Sequence, residues 1–275
     1  MHLPLTAHVT PPEPSRSSHH EQHALTPEGA LRLLVMRATE RFRSCGKFAY
    51  YFARGKLRTD PVFATLLSQQ LLPDAPRLLD LGCGQGLVAA WLDAANQCHL
   101  AGLWPPQWPV PPAPVAIRGI EIDVHEVERA QRALGQLAQI QCADLRSTAL
   151  SDCDAILILD VLHYLEPGLQ KSLIDRAHAA LGADGVLLVR IGDAAGGIRF
   201  TWSRWVDAAI WRLRGRRSSV LAFRTLSGWV DLLVGAGFEV RKIPMMGARS
   251  FANVLLQAKP TSRPPAALEP PSPLP

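Results

Sequence analysis

Residues 78–86 read LLDLGCGQG, an apolar run that ends in three glycines spaced two apart. The apolar part predicts a short buried strand, and the residues that follow Gly86 predict a helix. Glycines at such a turn allow positive φ angles and let the backbone pass close beneath a ligand, while the start of the helix supplies free N–H groups. The segment therefore predicts a strand, turn and helix of the kind that binds a nucleotide or nucleoside.

The sequence around this turn alternates between apolar strands and helical patterns. Strands are predicted at 77–81, 116–122, 138–142, 154–160, 185–191, 238–243 and 251–258. Helices are predicted between them at 87–96, 124–136, 168–181 and 227–236, and before them from 26, at 42–54 and at 60–72. Such alternation predicts an α/β fold with a parallel sheet and right-handed crossovers.

Composition excludes several classes of protein. Of the 275 residues, 48% are hydrophobic and 19% are charged, which is typical of a globular chain and not of a disordered one. No apolar run approaches the roughly 20 residues of a membrane span, and the N-terminus lacks the pattern of a signal peptide. The five cysteines include no CxxC pair, which predicts reduced thiols in the cytoplasm and no metal site.

The distribution of prolines and polar residues divides the chain. Prolines cluster near both ends and once inside the α/β region, where the insert is expected to lie on the surface. The predicted parts are a disordered tail at 1–25, a helical cap at 26–75, an α/β domain at 76–259 with a Pro-rich insert at 98–115 and a Trp/Arg-rich segment at 194–222, and a disordered tail at 260–275.

An acidic residue lies in or just after each of the first four predicted strands: Asp80, Glu121, Asp144 and Asp160. In open α/β sheets, ligands bind beyond the carboxyl ends of the strands. A carboxylate after the second strand can accept hydrogen bonds from ribose hydroxyls, and one after the third strand can accept from an adenine amino group. Each could also be a solvated loop residue, but four in register with a glycine turn indicate a binding site.

Together these motifs resemble those of class I S-adenosylmethionine-dependent methyltransferases. The resemblance covers roughly residues 76–259 and is carried by 78–86, 119–123, 143–144, 154–165, 181–188 and 237–240. The chain departs from the family at 183–185, where Ala-Asp-Gly stands in place of the commoner Pro-Gly-Gly. The resemblance implies a Rossmann-like seven-stranded sheet that is mostly parallel, with helices on both faces, an antiparallel last strand and an N-terminal helical cap.

The resemblance also implies S-adenosylmethionine as cofactor and methyl transfer by in-line displacement to an oxygen or carbon of a small-molecule or carrier-bound acceptor. The residues expected at the cofactor are Asp80, Gly82, Cys83, Gly84, Gly86, Glu121, Ile122, Asp144, Leu145 and Asp160. Two alternatives stay open at this stage. One is a nicotinamide-dependent oxidoreductase, against which Leu87 counts because a third glycine is expected there. The other is a cofactor-binding scaffold without activity.

The catalytic candidates follow the fourth strand. His163 is the candidate general base, since an unperturbed histidine titrates near pH ~6.5. It could instead contact the substrate or simply pack at the edge of the sheet. Asp160 is expected to orient a neighbouring group. Tyr164 is the third candidate, although packing in the core or in a pocket wall is the commoner role for such a tyrosine.

Candidates for the substrate pocket lie outside the motifs. Tyr50, Tyr51 and Arg54 precede the α/β domain, and Trp202 and Trp205 lie in the Trp/Arg-rich segment, whose apolar residues follow helical spacing. That segment could be a packed helix, a lid over the substrate, or a surface that docks on anionic lipid or an acidic carrier protein. The residues that would make such a contact are Arg212, Arg214, Arg216 and Arg217.

A loose resemblance to methyltransferases of bacterial polyene-pigment pathways implies an acceptor bound to a carrier protein. Nucleic acid is not an expected partner. The run after the fourth strand, DVLH at 160–163, is not the Asn-Pro-Pro-Tyr type found in adenine methylases. The sequence also contains no long basic stripe.

Overall fold

The computed structural model describes residues 25–192, 222–243 and 253–261. The helices in these ranges are α1 (Pro27–Glu40), α2 (Lys47–Thr59), α3 (Pro61–Ser68), α4 (Leu87–Leu100), α5 (Val124–Leu134), α6 (Pro167–Ala180) and α7 (Leu226–Gly235). The strands are β1 (Arg77–Leu81), β2 (Ala116–Glu121), β3 (Gln139–Cys142), β4 (Cys153–Leu159), β5 (Leu181–Gly192), β6 (Phe238–Ile243) and β7 (Asn253–Pro260).

The strands form a seven-stranded sheet in the order β3-β2-β1-β4-β5-β7-β6. Strands β1 to β5 pair in parallel, and β7 pairs antiparallel with both β5 and β6. From β1 the chain adds β2 and β3 on one side of that strand, and it then adds β4 on the other side. The strand order therefore reverses between β1 and β4. Ligands of open α/β sheets bind at such a reversal. The predicted fold, including the antiparallel last strand, is confirmed.

Both faces of the sheet are covered because successive side chains of a strand point to opposite faces. Leu78 and Leu157 pack into a core with residues of α1, α3, α4 and α5. Leu79 and Ile156 pack into a second core with residues of α6 and α7. Burial of alternate residues on both faces explains why the predicted central strands read as continuous apolar runs.

The N-terminal helices are held by capping and by tertiary packing. The Thr26 hydroxyl accepts a hydrogen bond from the Gly29 amide, with Pro27 at the first helical position of α1. Leu34, Ala38 and Phe42 then pack against α4 as part of the first core. The predicted helix at 42–54 begins later, at Lys47, because a 3-10 turn and Gly46 at φ +96° intervene.

The Pro-rich insert differs from its prediction. Helix α4 extends to Leu100, and the Trp104 and Trp108 side chains beyond it are buried in the first core, with ring centroids 5.4 Å apart. The Trp104 indole donates to the carbonyl of Pro109 at 2.9 Å, and the Asn96 amide of α4 donates to that of Pro112 at 2.8 Å. The expectation of a surface insert is therefore wrong for its tryptophans, because satisfied indole and carbonyl groups allow it to fold back on α4.

Several predicted parts lie outside the described residues. These are nearly all of the tails at 1–25 and 260–275 and nearly all of the Trp/Arg-rich segment at 194–222, with Trp202, Trp205, Arg212, Arg214, Arg216 and Arg217. Strand β7 includes Pro260, and the Thr261 amide donates to the carbonyl of Gly237 at 2.9 Å. Across the described ranges, no helix is both long and apolar enough to cross a membrane.

Candidate functional site

The glycine turn is fixed to the neighbouring strand ends. The amides of Gly82 and Cys83 both donate to the carbonyl of Ile120 at the end of β2, at 2.8 and 3.2 Å. Gly82 has φ +75°, and a Cβ atom there would lie 2.3 Å from Cγ2 of Val161, in the loop after β4. Only glycine fits this contact, because a side chain would separate the turn from the β4 loop.

The middle of the turn is open, in contrast to its beginning. Gly84 has φ +54°, and a Cβ atom built there meets no atom within 4 Å. A Cβ atom at Gly86 would lie 2.4 Å from Cδ1 of Leu134 on α5. Gly82 and Gly86 are therefore required by packing within the protein, whereas the space above Gly84 can admit a ligand.

Glu121 organises the backbone around this space. Its Oε2 accepts from the Gly84 amide at 3.0 Å, and its Oε1 accepts from the amides of Ile122 and Asp123 at 2.8 and 2.9 Å. A carboxylate offers about four acceptor positions. Three are used by the backbone, so Oε2 retains capacity for one more hydrogen bond. Glu121 is consequently a structural residue of the turn as well as a candidate ligand of a ribose hydroxyl.

Asp80 lies beneath the turn and is 5% exposed. Burial, together with the nearby charge of Glu121, raises the pKa of Asp80 from 3.8 to about 7. Burial also raises the pKa of the Cys83 thiol far above its usual value, so that the thiol is not a reactive group. A cation bound beside Asp80 would favour the carboxylate and lower its pKa.

The residues after β3 are engaged with one another. Asp144 accepts from the backbone amide and the Nε of Arg146, at 2.9 and 2.8 Å, and its side chain is 28% exposed. Leu145 is buried in the second core. The amide of Ala143 donates to the carbonyl of Glu121 at 2.9 Å, which places this segment beside the end of β2. The predicted adenine contact of Asp144 stays a prediction.

Asp160 is the centre of an ion-pair network at the ends of β4 and β5. It has φ +61°, and both of its carboxylate oxygens accept from the guanidinium of Arg190 on β5. Arg190 also donates to Asp60 at 2.5 Å, and Lys56 of α2 lies 2.8 Å from Asp60 and 3.5 Å from Asp160. Burial would raise the pKa of Asp160, but Arg190 and Lys56 hold it far below the usual range.

His163 lies in the short 3-10 turn after β4 and is 6% exposed. Its ring stacks on Phe223 with centroids 5.1 Å apart, and it lies 4.1 Å from the centroid of Tyr164, which is half-buried. Burial lowers the pKa of His163 from 6.5 to about 4, against the opposing effect of Asp160. The imidazole is therefore neutral near pH 7, with one donor and one acceptor nitrogen.

Helix α2 crosses the ends of these strands. Near its start, the Cys45 thiol donates to the carbonyl of Arg129 on α5 at 3.4 Å. In its first half, Gln85 of the glycine turn donates to the carbonyl of Ala49 at 3.1 Å. Near its end, Lys56 reaches Asp160. The helix thus extends along the carboxyl edge of the sheet, from the β2 side to the β4 side.

The pocket candidates on α2 differ in exposure. Tyr50 is half-buried, its ring lies 4.9 Å from the guanidinium of Arg43, and it contacts the Tyr51 ring edge-on at 5.3 Å. Tyr51 is 64% exposed, and Arg54 is exposed as well. Tyr50 is thus the least exposed of the three candidates on α2.

The structure brings together the glycine turn, Glu121, the β4 loop and α2, and it adds residues that sequence reasoning missed. The most important are Gln85, which joins the turn to α2, and Arg190, which holds Asp160. A signal for Arg190 was present: it is the one charged residue within the apolar run 185–191. Within the described ranges, no three His, Cys, Asp or Glu side chains are grouped to hold a metal ion.

The cofactor implied by the resemblance fits this arrangement. The space above Gly84 is free of protein atoms where a Cβ would be, and Glu121 retains an acceptor for a ribose hydroxyl. Asp80 offers a buried carboxyl group that a cationic ligand would ionise. The predicted cofactor residues lie on the turn or at the ends of β2, β3 and β4, at the reversal of strand order.

Comparison with known proteins agrees with this fold. Magnesium protoporphyrin IX methyltransferase from Synechocystis PCC 6803, solved with bound S-adenosylhomocysteine, has a similar fold with a TM-score of 0.51 and 18% identity over 81% of this chain and 94% of its own. The pyocyanin biosynthetic protein PhzM has a TM-score of 0.52 and 18% identity over 81% of this chain and 61% of its own. No curated protein matches the sequence significantly.

A family model described as a methyltransferase domain matches residues 51–243, which is more than half of the chain. The match includes the glycine turn, Glu121, Asp160 and His163, and it supports a methyltransferase over the alternatives of an oxidoreductase and an inactive scaffold. The chain therefore belongs to the methyltransferase-domain family and is an enzyme that uses S-adenosylmethionine.

Proposed function

We propose that this enzyme methylates an oxygen or carbon nucleophile of a small-molecule or carrier-bound acceptor by in-line displacement. The observation that carries the proposal is the arrangement after β4, where Asp160 is fixed by Arg190 and the buried ring of His163 stacks on Phe223. A neutral imidazole can accept a hydrogen bond from a hydroxyl or enol, which is what an oxygen or carbon nucleophile needs.

The cofactor side of the site is formed by the glycine turn and two carboxyl groups. Gly84 leaves space for the cofactor beside the backbone, and the Glu121 carboxylate can accept a hydrogen bond from a ribose hydroxyl. The Asp80 carboxyl group can face the positive charge of the cofactor. When bound, S-adenosylmethionine supplies an electrophilic methyl group and a neutral thioether leaving group. The protein is left to align the acceptor and to exclude water, which is catalysis mainly by positioning.

Removal of the proton from the acceptor is the step of the reaction that requires a side chain. Because burial lowers the pKa of His163 to about 4, its proton-accepting form is present throughout the neutral range. Such a low pKa makes it a weak base, suited to an acceptor that is itself acidic, such as a phenol or an enol. Asp160, fixed by Arg190, would stabilise the imidazolium that forms.

Small acceptors are supported by the place of α2, which crosses the strand ends beside the glycine turn. The two solved structures are named for magnesium protoporphyrin IX and for pyocyanin biosynthesis, both small molecules. If the acceptor is bound to a carrier protein, the residues proposed to meet the carrier are Arg212, Arg214, Arg216 and Arg217, which lie outside the described residues.

The test uses S-adenosylmethionine with a labelled methyl group and a panel of phenols, enols, amines and carrier-bound aryl or acyl groups. Label is expected in phenols or enols and not in amines. With the best acceptor, His163→Ala should lower the rate roughly 10²- to 10⁴-fold while cofactor affinity stays intact, and His163→Asn should restore little. His125→Gln, at an exposed histidine, is the control.

The pH dependence adds a second criterion. The rate of the unsubstituted enzyme should be independent of His163 titration above pH ~5, because the pKa of that residue is about 4. Transfer to amines alone, or full activity of His163→Asn, would contradict the proposed acceptor class or the proposed base.

A further inference from the structure

The outward face of α2 carries large aromatic residues. Phe48 and Tyr51 are each 64% exposed and Phe52 is 43% exposed. Phe48 and Phe52 are one helical turn apart and their rings stack with centroids separated by 6.1 Å. The buried face of the helix consists mostly of small residues, since two of its three members are alanines. The helix thus turns its largest apolar side chains toward water, the reverse of the usual arrangement, and such a patch marks an interaction site.

Cations border this aromatic face. Helix α2 contains four of them and no carboxylate, and three of the four, Lys47, Arg54 and Arg58, lie on one flank of the face and are exposed. Among the ion pairs of the described residues, α2 contributes only Lys56. The three flanking cations therefore have no anionic side chain as partner in the part of the chain that the structure describes.

The position of Lys47 and the spacing of Arg54 and Arg58 do not favour the helix itself, although Arg58 lies in the last turn, where the helix dipole favours a cation. Lys47 is at the first residue of α2, where the helix dipole repels positive charge. Arg54 and Arg58 are four residues apart, a spacing at which like charges destabilise a helix. Their placement is explained if an external anionic surface neutralises them. The face is oriented outward because Gln85 and Lys56 hold the opposite side of α2 against the strand ends.

We propose that the exposed face of α2, formed by Phe48, Tyr51, Phe52 and the flanking Lys47, Arg54 and Arg58, docks on an anionic lipid bilayer. A bilayer interface accepts aromatic rings and basic side chains together. An acidic protein would neutralise the cations but has no charge-based reason to cover two phenylalanines. A second copy of the chain would bring the same cations face to face.

The test is cosedimentation of the full chain with vesicles of phosphatidylcholine that contain 30% phosphatidylserine, against vesicles of phosphatidylcholine alone. Binding to the anionic vesicles is expected, with weakening as salt rises. Lys47→Gln with Arg58→Gln should lower the partition coefficient roughly thirtyfold, at about fivefold for each cation. Phe48→Ser with Phe52→Ser should abolish binding, and Phe48→Trp with Phe52→Trp should strengthen it because tryptophan prefers the interface.

Two control variants change matched residues elsewhere. Leu100→Ser with Val110→Ser removes exposed apolar side chains of the insert region, and Lys242→Gln with Lys259→Gln removes exposed cations of β6 and β7. Both should bind like the unsubstituted chain, and all variants should keep its thermal midpoint because the side chains are exposed.

Three results would overturn the proposal. The first is equal binding to neutral and anionic vesicles, or no binding to either. The second is loss of binding with the charge variant but not with Phe48→Ser and Phe52→Ser, which indicates an acidic protein surface as the natural partner. The third is binding that every α2 variant retains and that the combined change of Arg212, Arg214, Arg216 and Arg217 to Gln abolishes, which would assign docking to the Trp/Arg-rich segment instead of α2.

Discussion

Arg190 of β5 donates to both carboxylate oxygens of Asp160, so the residue that leads into the β4 loop is held by the neighbouring strand. The same guanidinium reaches Asp60 at the start of α3. Two anions are thereby fixed by one cation that is 3% exposed. The positive φ of Asp160 is maintained by this pair, because such a backbone angle costs energy in a residue other than glycine.

Arg190→Gln should therefore be strongly destabilising. It leaves two carboxylates without their main partner, and breaking a buried ion pair costs about 3–5 kcal/mol in free energy of unfolding. Urea denaturation measures the change. Arg77→Gln is the matched control, because Arg77 pairs with Asp154 at an exposed site, where an ion pair contributes about 1 kcal/mol or less. Equal losses in the two variants would contradict the structural role of Arg190.

Glu121→Ala should lower affinity for S-adenosylmethionine at least tenfold, since it removes a charged acceptor and three hydrogen bonds to the backbone of the turn. Glu121→Gln keeps one acceptor oxygen and should lose less. Calorimetry with the cofactor measures both variants. An affinity within twofold of the unsubstituted enzyme in Glu121→Ala would move the ribose contact to another residue.

Gly84→Ala and Gly86→Ala should distinguish an effect on cofactor affinity from an effect on the stability of the fold. Both glycines have positive φ, so each change costs about 1 kcal/mol in backbone strain. At Gly86 the new methyl group also collides with Leu134, which should lower the thermal midpoint further. At Gly84 it enters open space and should mainly weaken cofactor binding. The opposite pattern, with the larger loss of affinity at Gly86, would place the ligand elsewhere.

Asp80 should make stability depend on pH. Its pKa is raised from 3.8 to about 7 in the folded protein, so its contribution to stability is present below pH ~4 and is lost as pH rises through 7. The contribution is about 4 kcal/mol, and Asp80→Asn should lack this pH dependence. Glu121 is the charged group that acts on Asp80, whereas the Cys83 thiol stays protonated. A cationic cofactor should release a proton on binding, which calorimetry in buffers of different ionisation enthalpy detects.

The pH dependence of stability also includes a contribution from His163, which changes with pH in the opposite direction to that of Asp80. Because its pKa is lowered from 6.5 to about 4, its contribution to stability is present above pH ~6.5 and is lost as pH falls toward 4. The two effects oppose each other between pH ~4 and ~6.5. The unsubstituted enzyme should show a shallow profile there, while stability in Asp80→Asn should rise with pH. A profile unchanged by the Asp80 substitution would contradict its raised pKa.

The sequence predicted the sheet, and which residues meet at its carboxyl edge, for a physical reason. Apolar runs, glycine turns and the acidic residues at strand ends are local patterns, and parallel strands bring their ends to one edge whatever the details of packing. Arg190 and Asp60 are 130 positions apart. Arg190 is recognisable as a charged residue in an apolar run, but no local pattern identifies Asp60 as its partner. The burial of Trp104 and Trp108 likewise depends on a fold-back onto α4 that proline content alone does not reveal.

The hydrogen bond from Gln85 to the carbonyl of Ala49 has a consequence for the dynamics of the protein. Gln85 is 2% exposed, so the bond cannot open unless α2 lifts from the glycine turn. The backbone amides of α2 and those of the turn should then exchange their hydrogens with solvent in one cooperative opening, at a common free energy. Cofactor bound at the turn would slow exchange in α2 to the same degree, and the helix would report on occupancy of a site that its own side chains need not touch.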